Sequence, residues 1–88
     1  MTKKEFDDFV NDNELDHESS LVVFYENGTK EKVTLYRKYA YEVPDKYSYP
    51  DKNLIKGQPP QILVMDLSSP HGNKGIILSQ VLRVETTE

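Results

Sequence analysis

The sequence predicts an α+β, mostly β domain: a short N-terminal helix, then a small, strongly bent antiparallel sheet of about five strands. Three observations lead there. A capping-box spacing opens an apolar stripe at helical period in the first ten residues. An Asn27-Gly28 pair separates two strand-like runs. Further apolar runs, over 61–67, 75–78 and 81–85, are broken only by short polar turns.

The helix is expected from Thr2 to about Asn11. The Thr2 hydroxyl is spaced to accept from the amide of Glu5, and Phe6, Phe9 and Val10 fall on one face. Asp7 and Asp8 suit the positive end of the helix dipole. Ten residues do not hold a helix in water, so the stripe must dock. Residues 12–20 are acidic and polar and read as a linker, with Leu15 as an anchor.

Leu21 to Glu26 and Thr29 to about Arg37 form the first hairpin. A two-residue turn at Asn27-Gly28 pairs Phe24 with Glu31, Val22 with Val33 and Ser20 with Leu35. That register buries Val22, Phe24, Val33 and Leu35. It turns Leu21, Val23 and Tyr25 toward solvent or a partner. Residues 36–50 alternate loosely and are interrupted by Pro44 and Pro50, and 51–60 read as loop. Gln61–Leu67 is a strand, 68–75 a turn, Gly75–Leu78 a strand, and 81–85 the last strand after a kink at Ser79-Gln80.

This order of elements resembles the small SH3-like and Sm-like barrels. Asn27-Gly28-Thr29-Lys30-Glu31-Lys32-Val33-Thr34-Leu35 is similar to the turn and second strand of the Sm-like kind. Ile76-Ile77-Leu78-Ser79-Gln80-Val81-Leu82-Arg83-Val84 is similar to its last two short strands and their kink. The resemblance covers about half the chain and implies a closed barrel. Val33 stands where the family bends its second strand at glycine. Tyr39 and its neighbours stand where the family lines an RNA pocket with an acid and an asparagine. Ser79-Gln80 stands for Arg-Gly. The resemblance therefore implies an architecture, and neither RNA binding nor a ring.

Eighty-eight residues are expected to form a single domain, 1–88: helix and acidic linker over 1–20, β-rich body over 21–88. Hydrophobic residues make up 36% and charged residues 30%, enough for one small core. With no cysteine, disulfides, thiolate metal sites and cysteine nucleophiles are excluded. No apolar run follows Lys3 and Lys4 to make a signal peptide, and none approaches membrane-spanning length. The expectation is a soluble, cytoplasmic protein with no membrane contact.

The usual chemical signals are absent or better explained by surface structure. His17 and His71 lie far apart without metal-ligand spacing, so no metal or other cofactor is expected. Asp66, Ser68, Ser69 and His71 are neighbours on one turn, whereas working triads converge from separate elements. Residues 70–75 hold two glycines and a lysine but lack the helix that would aim amides at phosphate. The expectation is no enzyme.

Two charged or aromatic regions remain. Residues 1–20 hold two lysines and seven acids, and read as a solvated face or as an acidic surface, with Asp7 and Asp8, that meets a basic partner. Five of the six tyrosines lie within residues 36–49, beside Arg37, Lys38 and Lys46. Tyr36 and Tyr41 suit the core by their alternation. Tyr39, Tyr47 and Tyr49 suit contact with a partner, because a tyrosine joins a large apolar ring to a polar tip.

The expected function is a non-enzymatic protein-interaction or regulatory module. The Lys, Asn and Tyr richness suits a product of an AT-rich bacterium or its phage, such as an inhibitor of a host protein. One alternative is a single-stranded nucleic-acid binder stacking bases on the tyrosines. Another is a structural subunit of a larger assembly, joined through the Leu21/Val23/Tyr25 face.

Overall fold

The computed structural model describes residues 1–42 and 59–87. Helix α1 spans Lys3–Asp12, β1 Ser20–Tyr25, β2 Lys30–Thr34, β3 Gln61–Met65, β4 Asn73–Ile77 and β5 Val81–Thr86. A single 3-10 turn, Leu78–Gln80, joins β4 to β5. The architecture is the expected α+β, mostly β one, in two antiparallel sheets: β2-β1-β5 and β3-β4.

Helix α1 is capped as its sequence requires. Thr2 Oγ1 accepts from the Glu5 amide at 3.1 Å, and Glu5 Oε1 accepts from the Thr2 amide at 3.0 Å. Phe6 and Val10 are fully buried, and Phe9 packs beside them half-buried. At the other end the Glu14 amide donates to Asn11 O at 3.2 Å and the Leu15 amide to Val10 O at 2.9 Å. This is a Schellman ending, with Glu14 in the left-handed region at φ 53° where glycine is usual. Leu15 packs on the core, as its anchor role requires. The segment read as a linker is thus tightly folded. Glu18, also left-handed at φ 71°, donates its amide to Leu35 O at 2.8 Å.

The first hairpin corrects the expected register by one residue. Ser20 faces Thr34, Leu21 faces Val33, Val23 faces Glu31 and Phe24 faces Lys30. The connection has three residues, not two. Tyr25 O accepts from the Gly28 amide at 3.1 Å, closing a turn over Glu26-Asn27, and the Tyr25 amide donates to Thr29 O at 2.8 Å. Gly28 takes φ 89°, the left-handed position of a three-residue loop. One added loop residue exchanges the faces of β1. Leu21 and Val23 are fully buried, and Val22 and Phe24 look outward. The Leu21/Val23/Tyr25 face, read as exposed, is therefore the core face, and self-association through it has no surface to use.

Leu35 carries the chain from one sheet to the other. Its amide donates to Ser19 O at 2.9 Å, and it bridges Val64 of β3. The core lies between the sheets and under α1: Phe6, Val10, Leu21, Val23, Val33, Leu35, Ala40, Ile62, Val64, Ile76, Leu78, Val81 and Val84. The barrel that the resemblance implies is not closed. Strands β4 and β5 do not pair, and the 3-10 turn stands between them.

At the open side Glu31 ties three strands. The Tyr25 hydroxyl donates to Glu31 Oε1, and Lys74 Nζ lies 3.4 Å from Glu31 Oε2. Burial first, and the Glu31 carboxylate second, push the Tyr25 phenol above the usual tyrosine range. The folded state thus holds this proton more tightly than the unfolded state. The associated stability is complete below the unfolded value of about 10 and is lost as pH rises toward the folded one. An alkaline titration of phenolate absorbance is expected to show a late phase that belongs to Tyr25. Tyr25→Phe should abolish that late phase, and a late phase surviving the substitution would refute the assignment.

Candidate functional site

Three of the sequence-predicted contact residues, Arg37, Lys38 and Tyr39, lie on an arch between two bridges, while Asp7 and Asp8 lie on α1. Leu35 bridges Val64, and Tyr41 bridges Gln61. Between those points residues 36–40 stand against residues 62 and 63 alone. The chain therefore has three residues more than pairing can absorb, and it bows out of the sheet. Leu63 O accepts from the Tyr36 amide at 2.8 Å and from the Arg37 amide at 3.4 Å, which starts the bow. Tyr41 and Gln61 exchange backbone hydrogen bonds at 2.6 and 2.8 Å, which ends it.

The bow displays Arg37 and Tyr39 to solvent and buries Ala40. Tyr39 is 44% exposed. The Arg37 guanidinium lies 5.0 Å from the Tyr36 ring centre, and the Lys38 ammonium 5.3 Å from that of Tyr39. Each cation thus lies over its neighbour's ring, within the range of cation–π attraction. Tyr36 and Tyr41, expected in the core, are half-buried and do not belong to the core cluster. Behind the arch lies an open groove of about 470 Å³, lined by Arg37, Lys38, Tyr39, Ala40, Tyr41 and Leu63.

Helix α1 holds the arch from the other side. Asp7 Oδ1 accepts from the Ala40 amide at 3.0 Å, while Oδ2 pairs with Lys3. Asn11 Oδ1 accepts from the Tyr39 hydroxyl at 3.1 Å. Asp7 and Asn11 lie one turn apart on the helix face that meets the arch. Asp7, read as part of an acidic contact surface, has its carboxylate engaged in holding the arch. Asp8 is exposed and pairs with Lys4 at 2.6 Å, so its charge is partly met within the helix. Hydrogen bonds from the His17 amide and ring hold the Asp16 carboxyl below the usual carboxylate range, and the Lys38 charge adds to them. Tyr47, Tyr49 and Lys46 lie outside the described residues.

Asp7→Ala is expected to lower stability by about 1.5–3 kcal/mol, the range for a hydrogen bond to a charged group. Asp7→Asn, which can keep the acceptor, should lose less. Hydrogen exchange would localise the effect. The Ala40 amide should lose protection while β1 amides keep theirs, and unchanged protection at Ala40 would deny Asp7 this role.

The arch supplies a tyrosine, two cations and an apolar floor, and among the described residues it brings up no nucleophile with a base beside it. The Asp66 loop is engaged in its own shape: Asp66 Oδ1 accepts from the Ser68 amide at 3.0 Å and the Ser68 hydroxyl at 2.6 Å. Those bonds hold the Asp66 carboxyl below the usual range. No three of His, Asp and Glu converge on a metal position among the described residues. No helix among them is long and apolar enough to cross a membrane.

Sequence reasoning missed Asn11, Leu63 and the docking role of Asp7. Their one sequence signal was the helix period that sets Asp7 and Asn11 on a single face. Searches with this chain matched no protein-family model, no curated protein and no solved structure.

Proposed function

We propose that the chain is a non-enzymatic interaction module whose protein partner seats on the 36–41 arch. The observation that carries this reading is the double pinning of the arch. A three-residue excess holds it out of the sheet, and Asp7 and Asn11 fix it from the helix. An ordered tyrosine flanked by Arg37 and Lys38 loses little entropy on binding, which is what makes such residues effective anchors. The groove beside it, with Leu63 as floor, has room for one partner side chain. A cysteine-free composition fits action in the cytoplasm, and an inhibitor of a larger protein is one regulatory form the module would take.

The test is a photo-reactive phenylalanine analogue at position 39, irradiated in the source cells. A discrete protein adduct, lost when Arg37 and Lys38 are replaced by glutamate, is the expected result. An adduct made of nucleic acid, or none at all, would overturn the reading.

A further inference from the structure

The corrected register has an effect beyond the core: it places an aromatic ring on the outside of the three-stranded sheet. Phe24 faces Lys30 across β2 and Arg83 across β5. The Arg83 guanidinium lies 4.0 Å from the ring centre and the Lys30 ammonium 5.9 Å. The next row on the same face is Lys32, Val22 and Glu85. The strand β5 bulges opposite Phe24 and Tyr25, so Leu82 and Arg83 are both exposed, Leu82 at 53%. The result is an apolar patch of Phe24, Val22 and Leu82 rimmed by Lys30, Lys32 and Arg83.

We propose that this face, with Phe24 at its centre, binds single-stranded nucleic acid. Charge is the first argument. The chain has fifteen acids to eleven cations, yet these two rows carry three cations and one acid. That acid, Glu85, pairs with Arg83 at 3.1 Å, and neither Lys30 nor Lys32 is in an ion pair among the described residues. The ligand is therefore an anion. Shape is the second argument. The ring of Phe24 and the guanidinium over it are planar surfaces on which bases stack whatever their identity. Lys30 and Lys32 stand two residues apart on one strand, about 7 Å, a step close to that between phosphates of an extended strand. An acidic amphipathic helix is the competing anionic ligand, but it needs three or four apolar anchors along a groove. Among the described residues this face offers one ring with two aliphatic neighbours, fewer anchors than such a helix needs. The site goes beyond the arch, since Lys30 begins β2 at the turn and Leu35 leaves it about 17 Å further on.

The experiment is fluorescence anisotropy of the whole protein with labelled oligothymidine and oligouridine of about 15 nucleotides, a length within the site sizes of small barrels. Two phosphate contacts, Lys30 and Lys32, predict a log–log salt slope of about −1.4, so affinity should fall about sevenfold between 50 and 200 mM salt. Phe24→Leu, which keeps the apolar cover and removes the ring, should weaken binding about tenfold, within the range for one stacked base. The Lys30→Glu/Lys32→Glu pair, both exposed, should abolish it without loss of fold. Amide shifts on binding should centre on residues 22–24, 30–32 and 82–85. No saturable binding would overturn the proposal. So would Phe24→Leu binding as the parent does, or shifts centred on 37–39. Equal affinity for polyglutamate would also overturn it, and would assign the face to an acidic protein.

Discussion

Val23→Asp is expected to unfold the protein, and Val22→Asp to leave it folded. Val23 has no exposed surface and lies on the core face between Glu31 and Val84. An unpaired carboxylate there costs several kcal/mol. A domain of this length holds only on the order of 4–13 kcal/mol in total. Val22 lies on the other face between Lys32 and Glu85. An aspartate at 22 gains Lys32 on one side, meets the like charge of Glu85 on the other, and loses β-propensity and some apolar cover, for a net cost of about 1–2 kcal/mol. Urea unfolding of the two variants reads the difference directly. The reverse order, with Val22→Asp the damaging change, would restore the two-residue turn and its register.

Phe6→Ala should be nearly as severe. Phe6 is among the largest side chains with no exposed surface, and it fastens α1 to the core. Removing a buried phenylalanine costs about 3–5 kcal/mol. In a domain of this size that lowers the melting temperature by on the order of 20 °C. Phe9, half-buried on the same helix, should cost about 1–2 kcal/mol when cut to alanine. Thermal melts followed by circular dichroism would rank the pair, and a larger loss for Phe9 would mean that α1 packs through another face. The Phe6 change should also loosen the arch, because Asp7 and Asn11 reach Tyr39 and Ala40 only while the helix is seated.

How much of this was legible in the sequence depended on the range of the interactions. The capping box, the buried stripe of α1 and the five strands rest on neighbours in sequence, and all were read from it. The register was not. Leu21-Val22-Val23-Phe24-Tyr25 is apolar at every position, so β1 has no alternation to say which face turns inward. The decision fell to the turn, and Asn27-Gly28 suits a two-residue loop as well as the last two places of a three-residue one. Strand β2 does alternate, and Val33 and Leu35 were placed inward correctly. Strand ends erred by a residue or two where turns took over: β3 stops at Met65 because Asp66 turns to bond Ser68, and β4 begins at Asn73 rather than Gly75.

The candidate site was half legible. Tyr39, Arg37 and Lys38 stood out by composition, and all three lie on the arch. The partner of Asp7 is an amide thirty-three residues away, and no local pattern announces a bond of that span. Phe24 was read inward by the same parity error, which hid the sheet face that it centres.

The pairing of β1 with β5 sets the order in which the molecule can assemble. The β1–β2 and β3–β4 hairpins close over short stretches of chain and can form early. Strand β1, the middle of its sheet, waits for a partner from the far end of the sequence, where Val22 meets Glu85. Loop closure of that length is paid before its contacts reward it, which places the chain among slower folders, in the range of milliseconds to seconds. On the ribosome, the first hairpin emerges with one edge of β1 bare, and stays so until β5 follows. During that interval an apolar strand is open to any neighbouring chain, and Lys30 and Lys32 on the hairpin's other strand are the charges at hand to discourage such pairing.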